Sequence, residues 1–203
     1  MTVCLLSICL VCSALLAGVY ALTADPIASA AAAKNEAAIK EVLPLSAVTI
    51  EEERTVDFEG ASYAYNLAYD EHGNTVGCAI NVSPVGFGGP IVIKVGIGAD
   101  GVICNTKVLS QAETPGLGAK CVEPAFADQF KGFDPAAKKL AVRKDGGDVD
   151  AITASTITSR AYTDGLALAM KVFQAIAQTP MPLSDTCCEG CGAETCETET
   201  SNE

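Results

Sequence analysis

The chain has 203 residues, which fits one ordinary domain with an appendage but not two full domains. Its 13 Lys and Arg residues stand against 25 Asp and Glu residues, a formal net charge of −12. This balance argues against a nucleic-acid partner, because binding phosphates needs a basic face. Hydrophobic residues make up 49% of the chain, which excludes global disorder. The single histidine, His72, lies in a turn-like segment, which argues against a His-based zinc site or a Ser-His-Asp triad.

An uncharged apolar run opens the chain. No charged residue occurs before Asp25, and Val3–Leu22 is mostly apolar. At about 1.5 Å per residue, that run matches a bilayer core of about 30 Å. A cleaved signal peptide is the alternative, but it would have a basic N-terminal region and a shorter apolar stretch. We therefore predict a retained transmembrane anchor over residues 1–24, and the charges alone leave its orientation open.

Helical and then extended patterns follow the anchor. The Ala-rich stretch Ala28–Ile39 predicts a helix within a linker over residues 25–54. From Thr55 the pattern changes to strands, with turn residues between the members of each pair. The predicted strands form two hairpins: Ser62–Tyr69 with Val76–Val82, and Ile91–Ile97 with Val102–Leu109.

Helices dominate the later part of the chain. A short helix is predicted over Pro124–Phe130, and a longer one from about Arg160 to Ala177, where apolar residues recur at helical spacing. Strands first and helices later indicate an α+β fold, with an antiparallel sheet and flanking helices behind one N-terminal transmembrane helix. We assign residues 55–182 to this domain. Residues 183–203 form an acidic, Cys-containing tail that is predicted to be disordered.

Two segments have compositions that simple packing does not explain. Glu113–Lys120 contains one proline and two glycines, which suits a loop whose backbone approaches a flat or anionic ligand, with an ordinary loop as the alternative. In Asp150–Arg160, five hydroxyl residues precede the longer helix, whereas one helix cap needs only one hydroxyl. The free N–H groups and the dipole at a helix start favour a phosphate, and Arg160 could add positive charge. The second segment therefore indicates a phosphate-bearing ligand.

Three ordered landmarks resemble those of a known family. Thr153-Ala154-Ser155-Thr156-Ile157-Thr158 resembles the flavinylation motif of FMN-binding domains, in which a hydroxyl residue, Gly, Ala, Thr, any residue and Thr or Ser follow in that order. Upstream, Gly86–Ile91 and Glu113–Gly118 are similar to two further landmarks of the same domain. The resemblance covers roughly residues 55–178. With the preceding anchor, the chain resembles the RnfG family, the G subunits of the Rnf complex, which is an ion-translocating ferredoxin:NAD⁺ oxidoreductase.

The resemblance implies a covalent flavin cofactor. In this family FMN is joined by a phosphoester to the last hydroxyl of the motif, here Thr158, after a separate flavin transferase takes it from FAD. The other residues expected at the cofactor are motif hydroxyls and members of the upstream loop: Thr153, Ser155, Thr156, Thr114, Gly116, Leu117 and Gly118. Electron relay by a flavin needs no acid–base pair, so no catalytic side chain and no metal ligand is expected.

The resemblance also implies a location and partners. The expected location is the cell (inner) membrane, with a single span and the FMN domain on the extracytoplasmic side. The expected partners are the other Rnf subunits, the flavin transferase and the membrane, but no nucleic acid. The subunit would relay electrons between ferredoxin and NAD⁺ while the complex moves Na⁺ or H⁺. It would therefore be an electron-transfer subunit of a translocase rather than a catalyst alone.

Two features depart from the family pattern. Ala154 and Ser155 stand where Gly and Ala are commonest, and if position 154 needs a positive φ, alanine would strain the turn by about 1 kcal/mol. Four tail cysteines have a spacing that could ligate zinc or an iron–sulfur cluster: Cys187, Cys188, Cys191 and Cys196. We favour unligated thiols in a disordered tail, because low hydrophobicity and high charge oppose folding.

Three other functions stay open at the level of the sequence. The NqrC family, which belongs to the Na⁺-translocating NADH:quinone oxidoreductase, shares the FMN domain but its members are generally longer. A membrane-anchored binding domain without a redox role would use Thr158 only as a helix cap, and the purified protein would be colourless. A secreted flavoprotein carrier would show the same motif but would lose the residues before about position 22.

Overall fold

The computed structural model describes residues 2–44 and 47–178, so the tail and its four cysteines lie outside the described residues. The helices are α1 (Thr2–Val42), α2 (Pro124–Ala127) and α3 (Thr156–Gln178). The strands are β1 (Thr49–Ile50), β2 (Arg54–Phe58), β3 (Ala61–Tyr69), β4 (Thr75–Val82), β5 (Ile91–Gly98) and β6 (Ile103–Gln111). Short 3₁₀ turns occupy Gly118–Val122, Asp128–Phe130 and Arg143–Asp145.

The strands form one antiparallel sheet, which confirms the predicted α+β fold. Their order is β1-β3-β4-β5-β6, and β2 also pairs with β3. Both predicted hairpins, β3–β4 and β5–β6, are confirmed with bounds within two residues of those expected. In the central pair Ile80 lies opposite Val95, and side chains alternate between the two faces of the sheet as strand geometry requires.

One face of the sheet packs against α3. Ile80 and Val95 of the sheet join Leu166 and Val172 of α3 in a single apolar cluster. α2 and the 3₁₀ turn that follows it match the predicted helix Pro124–Phe130 and add aromatic rings to the same cluster. The amphipathic pattern of α3 is therefore explained by burial of one side of the helix.

α3 begins at Thr156, so the prediction of a start near Arg160 is wrong. β-Branched and hydroxyl residues weaken helices in isolation, which is why the sequence pattern placed the start too late. Here side-chain hydrogen bonds hold the first turn: the Ser159 hydroxyl donates to the Ser155 carbonyl at 3.0 Å and accepts from the Ile152 N–H at 2.9 Å. The earlier start fixes which way each motif hydroxyl points.

Helix α1 is continuous over 41 residues and about 62 Å long at 1.5 Å per residue. The predicted helix Ala28–Ile39 is its C-terminal part rather than a separate element, and Pro26 lies inside it. In the described ranges it is the one helix long and apolar enough to cross a membrane. Its most apolar stretch is not buried in the domain, as expected for a segment that packs against lipid.

The last turns of α1 pack on the face of the sheet opposite α3. Ile39 and Val42 form a small buried cluster with Ala68 and Ala79 of the sheet. Close approach depends on small residues, because a Cβ atom added at Gly96 would collide with the Val42 carbonyl group. The apolar helix is thereby fixed directly to the domain that carries the candidate site.

Candidate functional site

A cavity of about 400 Å³ lies where the three sequence landmarks meet. The 86–90 loop, the 113–118 loop and the turn that leads into α3 each form part of its wall. Its lining residues are Phe87, Glu113, Thr114, Leu117, Gly118, Ala154, Ser155, Thr156 and Ile157. Segments that are far apart in the chain thus build one site at the N-terminal end of the longest soluble helix.

The structure brings most of the predicted cofactor residues together. Those that line the cavity are Thr114, Leu117, Gly118, Ser155 and Thr156. Gly116 adopts φ +79°, a left-handed conformation that favours glycine, and it turns the 113–118 loop. Thr153 lies on a separate cavity of about 220 Å³, and Thr158 lies behind the wall of the main one.

The two threonines at the start of α3 have opposite environments. Thr158 is fully buried, its hydroxyl donates to the Glu113 carboxylate at 3.0 Å, and the Ser155 hydroxyl lies 2.9 Å away. Thr156 is partly exposed, lines the cavity and accepts a hydrogen bond from the Lys144 ammonium group at 3.2 Å. The difference follows from helical geometry, since residues two positions apart in a helix point to opposite sides.

Glu113 is a site residue to which the sequence pattern gave no role. Its side chain is 6% exposed, and one carboxylate oxygen accepts from the N–H groups of Phe87 at 2.7 Å and Gly88 at 3.2 Å. The other oxygen accepts from Thr158. The available signal was its position at the head of the Glu-Thr-Pro-Gly-Leu-Gly landmark, but the contact with α3 is long-range and leaves no local pattern.

Ala154 adopts φ +62°, so this position has the positive φ at which alanine is expected to strain the turn. An alanine in the left-handed region is strained because its Cβ approaches the neighbouring carbonyl oxygen. The turn nevertheless keeps the motif hydroxyls at the mouth of the cavity, since Ala154, Ser155 and Thr156 all line it. The departure from glycine at this position therefore has a local energetic cost but no effect on the placement of the motif.

The rim of the cavity combines apolar side chains with positive charge. Phe87 is 72% exposed, and Leu117 and Ile157 are also exposed at the opening. Lys144 supplies the nearest ammonium group at Thr156. Arg160, proposed as a further source of charge, instead pairs with Asp145 through two hydrogen bonds of 2.7 Å, and this pairing lowers the pKa of the Asp145 carboxyl group.

Comparison with known proteins assigns the chain to a family. Residues 86–171 match the FMN-binding domain, and residues 2–42 match the RnfG N-terminal region. The G subunit of the ion-translocating oxidoreductase complex from Methanosarcina acetivorans is 37% identical over 162 residues, which are 77% of this chain and 84% of that protein. The chain belongs to this RnfG family. Another member, from Cereibacter sphaeroides, is 33% identical and covers 79% of this chain and 78% of that protein.

One further G subunit and one solved structure are similar to the chain. The G subunit of the Na⁺-translocating ferredoxin:NAD⁺ oxidoreductase complex from Acetobacterium woodii is 37% identical over 112 residues, 53% of this chain and 54% of that protein. Among solved structures, the C subunit of Na⁺-translocating NADH-quinone reductase from Parabacteroides distasonis is 23% identical with a TM-score of 0.49, covering 64% of this chain and 79% of that one.

The cavity of this RnfG family member fits the cofactor of an FMN-binding domain. Its volume of about 400 Å³ lies within the usual range of small-molecule sites. Phe87, Leu117 and Ile157 offer apolar surface to a flat ring system. At the other end, the Thr156 hydroxyl, the Lys144 ammonium group and the free N–H groups of α3 offer partners for a phosphate.

Proposed function

We propose that this chain is a membrane-anchored flavoprotein of the Rnf complex, which carries covalent FMN and relays electrons between ferredoxin and NAD⁺. Membership of the RnfG family and the match to the FMN-binding domain support the proposal. The Acetobacterium relative belongs to a complex that is named for both ferredoxin and NAD⁺. Energy released by this electron transfer would drive Na⁺ or H⁺ across the membrane.

The observation that carries the proposal is the joining of an apolar cavity to a hydroxyl at a helix start. An isoalloxazine ring needs apolar walls, which Phe87, Leu117 and Ile157 supply. A phosphate needs donors and positive potential, which the first turn of α3 supplies. When bound, FMN supplies one- or two-electron chemistry, and the protein's task is to hold it, orient it and limit access of water.

We propose that the covalent linkage is at Thr158, the last hydroxyl of the motif. In the flavin-free chain the Thr158 hydroxyl is buried and donates to Glu113 at 3.0 Å. It also lies next to Ser155 and Gly118, which line the cavity. Attachment would replace its hydrogen bond to Glu113 with the phosphoester. Thr156, which lines the cavity two residues earlier, is the competing hydroxyl.

Lys144 would supply positive charge at the phosphate end of the site. Its ammonium group donates to the Thr156 hydroxyl at 3.2 Å, at the cavity and two residues before Thr158. A lysine serves well as a point charge for a phosphate, so Lys144 would hold the anionic end of the cofactor.

The transfer step balances with FAD as the donor. The threonine oxygen would form a bond to the phosphorus on the FMN side, and the pyrophosphate bond would break. AMP would leave, and the hydroxyl proton would pass to a base of the flavin transferase. This route requires access of the transferase to the accepting hydroxyl, and Thr158 lies directly behind Ser155 and Gly118 of the cavity wall.

The membrane arrangement is part of the same proposal. Residues 1–24 would form the span, residues 25–54 the connection and residues 55–182 the FMN domain. The unburied apolar stretch of α1 supports a span, and its continuity into the domain would hold the flavin at a fixed height above the bilayer. We place the domain on the extracytoplasmic side, where the flavin transferase would act.

The proposal is tested by in-gel flavin fluorescence of the denatured full-length chain after co-expression with a flavin transferase. The wild type and Thr156→Val should give a fluorescent band, and Thr158→Val should be dark. Thr153→Val is the matched control, since Thr153 lies on a different cavity, and it should stay fluorescent. A dark wild type would contradict the proposal and favour a non-redox domain. A dark Thr156→Val beside a bright Thr158→Val would move the linkage to Thr156.

A further inference from the structure

The carboxylate of Glu113 connects the walls of the cavity. From the 113–118 loop it accepts hydrogen bonds from the N–H groups of Phe87 and Gly88 in the 86–90 loop, at 2.7 and 3.2 Å. Its second oxygen accepts from Thr158 in the first turn of α3, at 3.0 Å. One side chain thus holds all three segments that form the site.

Glycines on both loops leave the space that this carboxylate occupies. A Cβ atom added at Gly86 would collide with one oxygen of Glu113, and a Cβ atom added at Gly118 would collide with the other. The Cβ at Gly118 would also lie 2.8 Å from the Thr158 hydroxyl. At Gly88 a Cβ would instead collide with the backbone carbonyl of Ala112. Gly86 and Gly118, one from each of two sequence landmarks, are therefore explained by packing around one carboxyl group.

The hydrogen bonds that join the two loops need an acceptor at position 113 but not a negative charge. Burying a carboxylate is costly unless it is hydrogen-bonded, and a neutral amide of the same shape could also accept from the Phe87 N–H. The charge does have a consequence for the site, because Glu113 lines the cavity itself. A negative charge beside a redox group disfavours its reduction, and this electrostatic effect becomes larger as water is excluded from the cavity.

We infer that Glu113 is a positioning residue that fixes the two loops against α3 in the flavin-free protein and lowers the reduction potential of the flavin held between them. The inference rests on the proposed function, because it concerns the same cavity. It makes separate claims about geometry and about charge. Each claim has its own measurement.

The charge claim is tested by redox titration of full-length, flavinylated protein in detergent at neutral pH. Glu113→Gln keeps the shape and removes the charge, so its midpoint potential should be more positive than that of the wild type. Glu113→Asp keeps the charge and should stay closer to the wild type. Glu123→Gln is the matched control, since it removes one charge from an exposed side chain outside the cavity, and it should not shift the potential.

The geometric claim is tested by amide hydrogen exchange of the flavin-free full-length protein. Glu113→Asp shortens the side chain by one methylene and should lose its reach, so the Phe87 and Gly88 amides should exchange about tenfold faster. Glu123→Asp should leave both rates unchanged. This measurement needs no cofactor and can still be made if Glu113→Gln fails to fold.

The possible outcomes separate the inference from the proposed function. Equal potentials for wild type, Glu113→Gln and Glu123→Gln would overturn the charge claim. Unchanged exchange of Phe87 and Gly88 in Glu113→Asp would overturn the geometric claim. A wild type that takes up no flavin would overturn the proposed function, while the exchange result would still decide whether Glu113 holds the loops.

Discussion

The two long helices of this chain are both rich in apolar residues but use them differently. In α3, Leu166 and Val172 are fully buried against the sheet, and the exposed positions of the same helix are polar except for Ile157 at the cavity and Ala177. In the N-terminal part of α1, by contrast, large apolar residues such as Leu16, 71% exposed, lie on all sides. Apolar residues in both helices are expected to avoid water. Their spacing distinguishes the two cases, since a stripe on one side of a helix indicates packing in a protein core and apolar residues on all sides indicate a membrane span.

The same contrast continues across the sheet. The face under α3 carries large apolar side chains such as Ile80 and Val95. The face under the end of α1 carries alanines, a glycine and the buried Lys94, whose ammonium group donates to Asn66 at 3.2 Å. One face is thus stabilised by the burial of large apolar side chains. The other face buries less apolar surface, but its small residues let α1 approach the sheet closely.

Replacing one leucine in each helix should change the unfolding free energy of the domain by very different amounts. Leu166→Ala should destabilise the domain by about 2–5 kcal/mol, because it leaves a cavity in a packed core. Leu16→Ala is the matched control and should leave the unfolding free energy of the domain unchanged, since Leu16 contacts none of the core. Denaturant unfolding of the full chain in detergent measures both, and equal losses would contradict the assignment of α1 to the membrane.

The pH dependence of the unfolding free energy should reveal the buried lysine on the face of the sheet under α1. Burial lowers the pKa of Lys94 from its ordinary 10.5, an effect that the Glu53 carboxylate partly opposes. Between the folded and unfolded pKa values the unfolded state binds more protons, so this group makes the fold more stable as pH rises toward 10.5. The stability of the wild type relative to Lys94→Met should therefore increase with pH over that window.

An exposed lysine provides the control for this pH experiment. Lys40 is largely exposed on α1, so the stability of Lys40→Met should run parallel to that of the wild type at every pH. The comparison is made in a Cys78→Ala background, because the pKa of the Cys78 thiol, raised to about 12 by burial, also responds to the Lys94 charge. A constant difference between wild type and Lys94→Met across the window would show that the lysine is not desolvated in the fold.

The smallest expected effect concerns the strained turn before α3. Ala154→Gly should stabilise the domain by about 1 kcal/mol, because glycine adopts φ +62° without the steric cost. Ala151→Gly is the matched control: its φ is not positive, so the change should be slightly destabilising. Thermal unfolding of the two variants compares them directly, and a destabilised Ala154→Gly would indicate that the turn carries no strain.

The sequence predicted the parts of the fold that local patterns encode. Alternation and turn residues identified β3 to β6, and the three landmarks identified the segments of the cavity. It did not predict the hydrogen bond between Glu113 and Thr158, because contacts across 45 positions have no local signature. Nor did it predict the different environments of the motif threonines, since the start of α3 at Thr156 sets the helical phase that turns one threonine to the cavity and the other to the core.

The central claim is that FMN is joined to Thr158, and peptide mapping by fragmentation mass spectrometry tests it most directly. Trypsin should release the peptide 145–160 from the flavinylated full-length chain, because it cleaves after Lys144 and Arg160. Fragments that begin at Thr158 and end at Arg160 should carry the mass of the FMN phosphoryl group, while those that begin at Ser159 should not. FMN on fragments that begin at Thr156 but not on those that begin at Ile157 would contradict the account and place the linkage at Thr156.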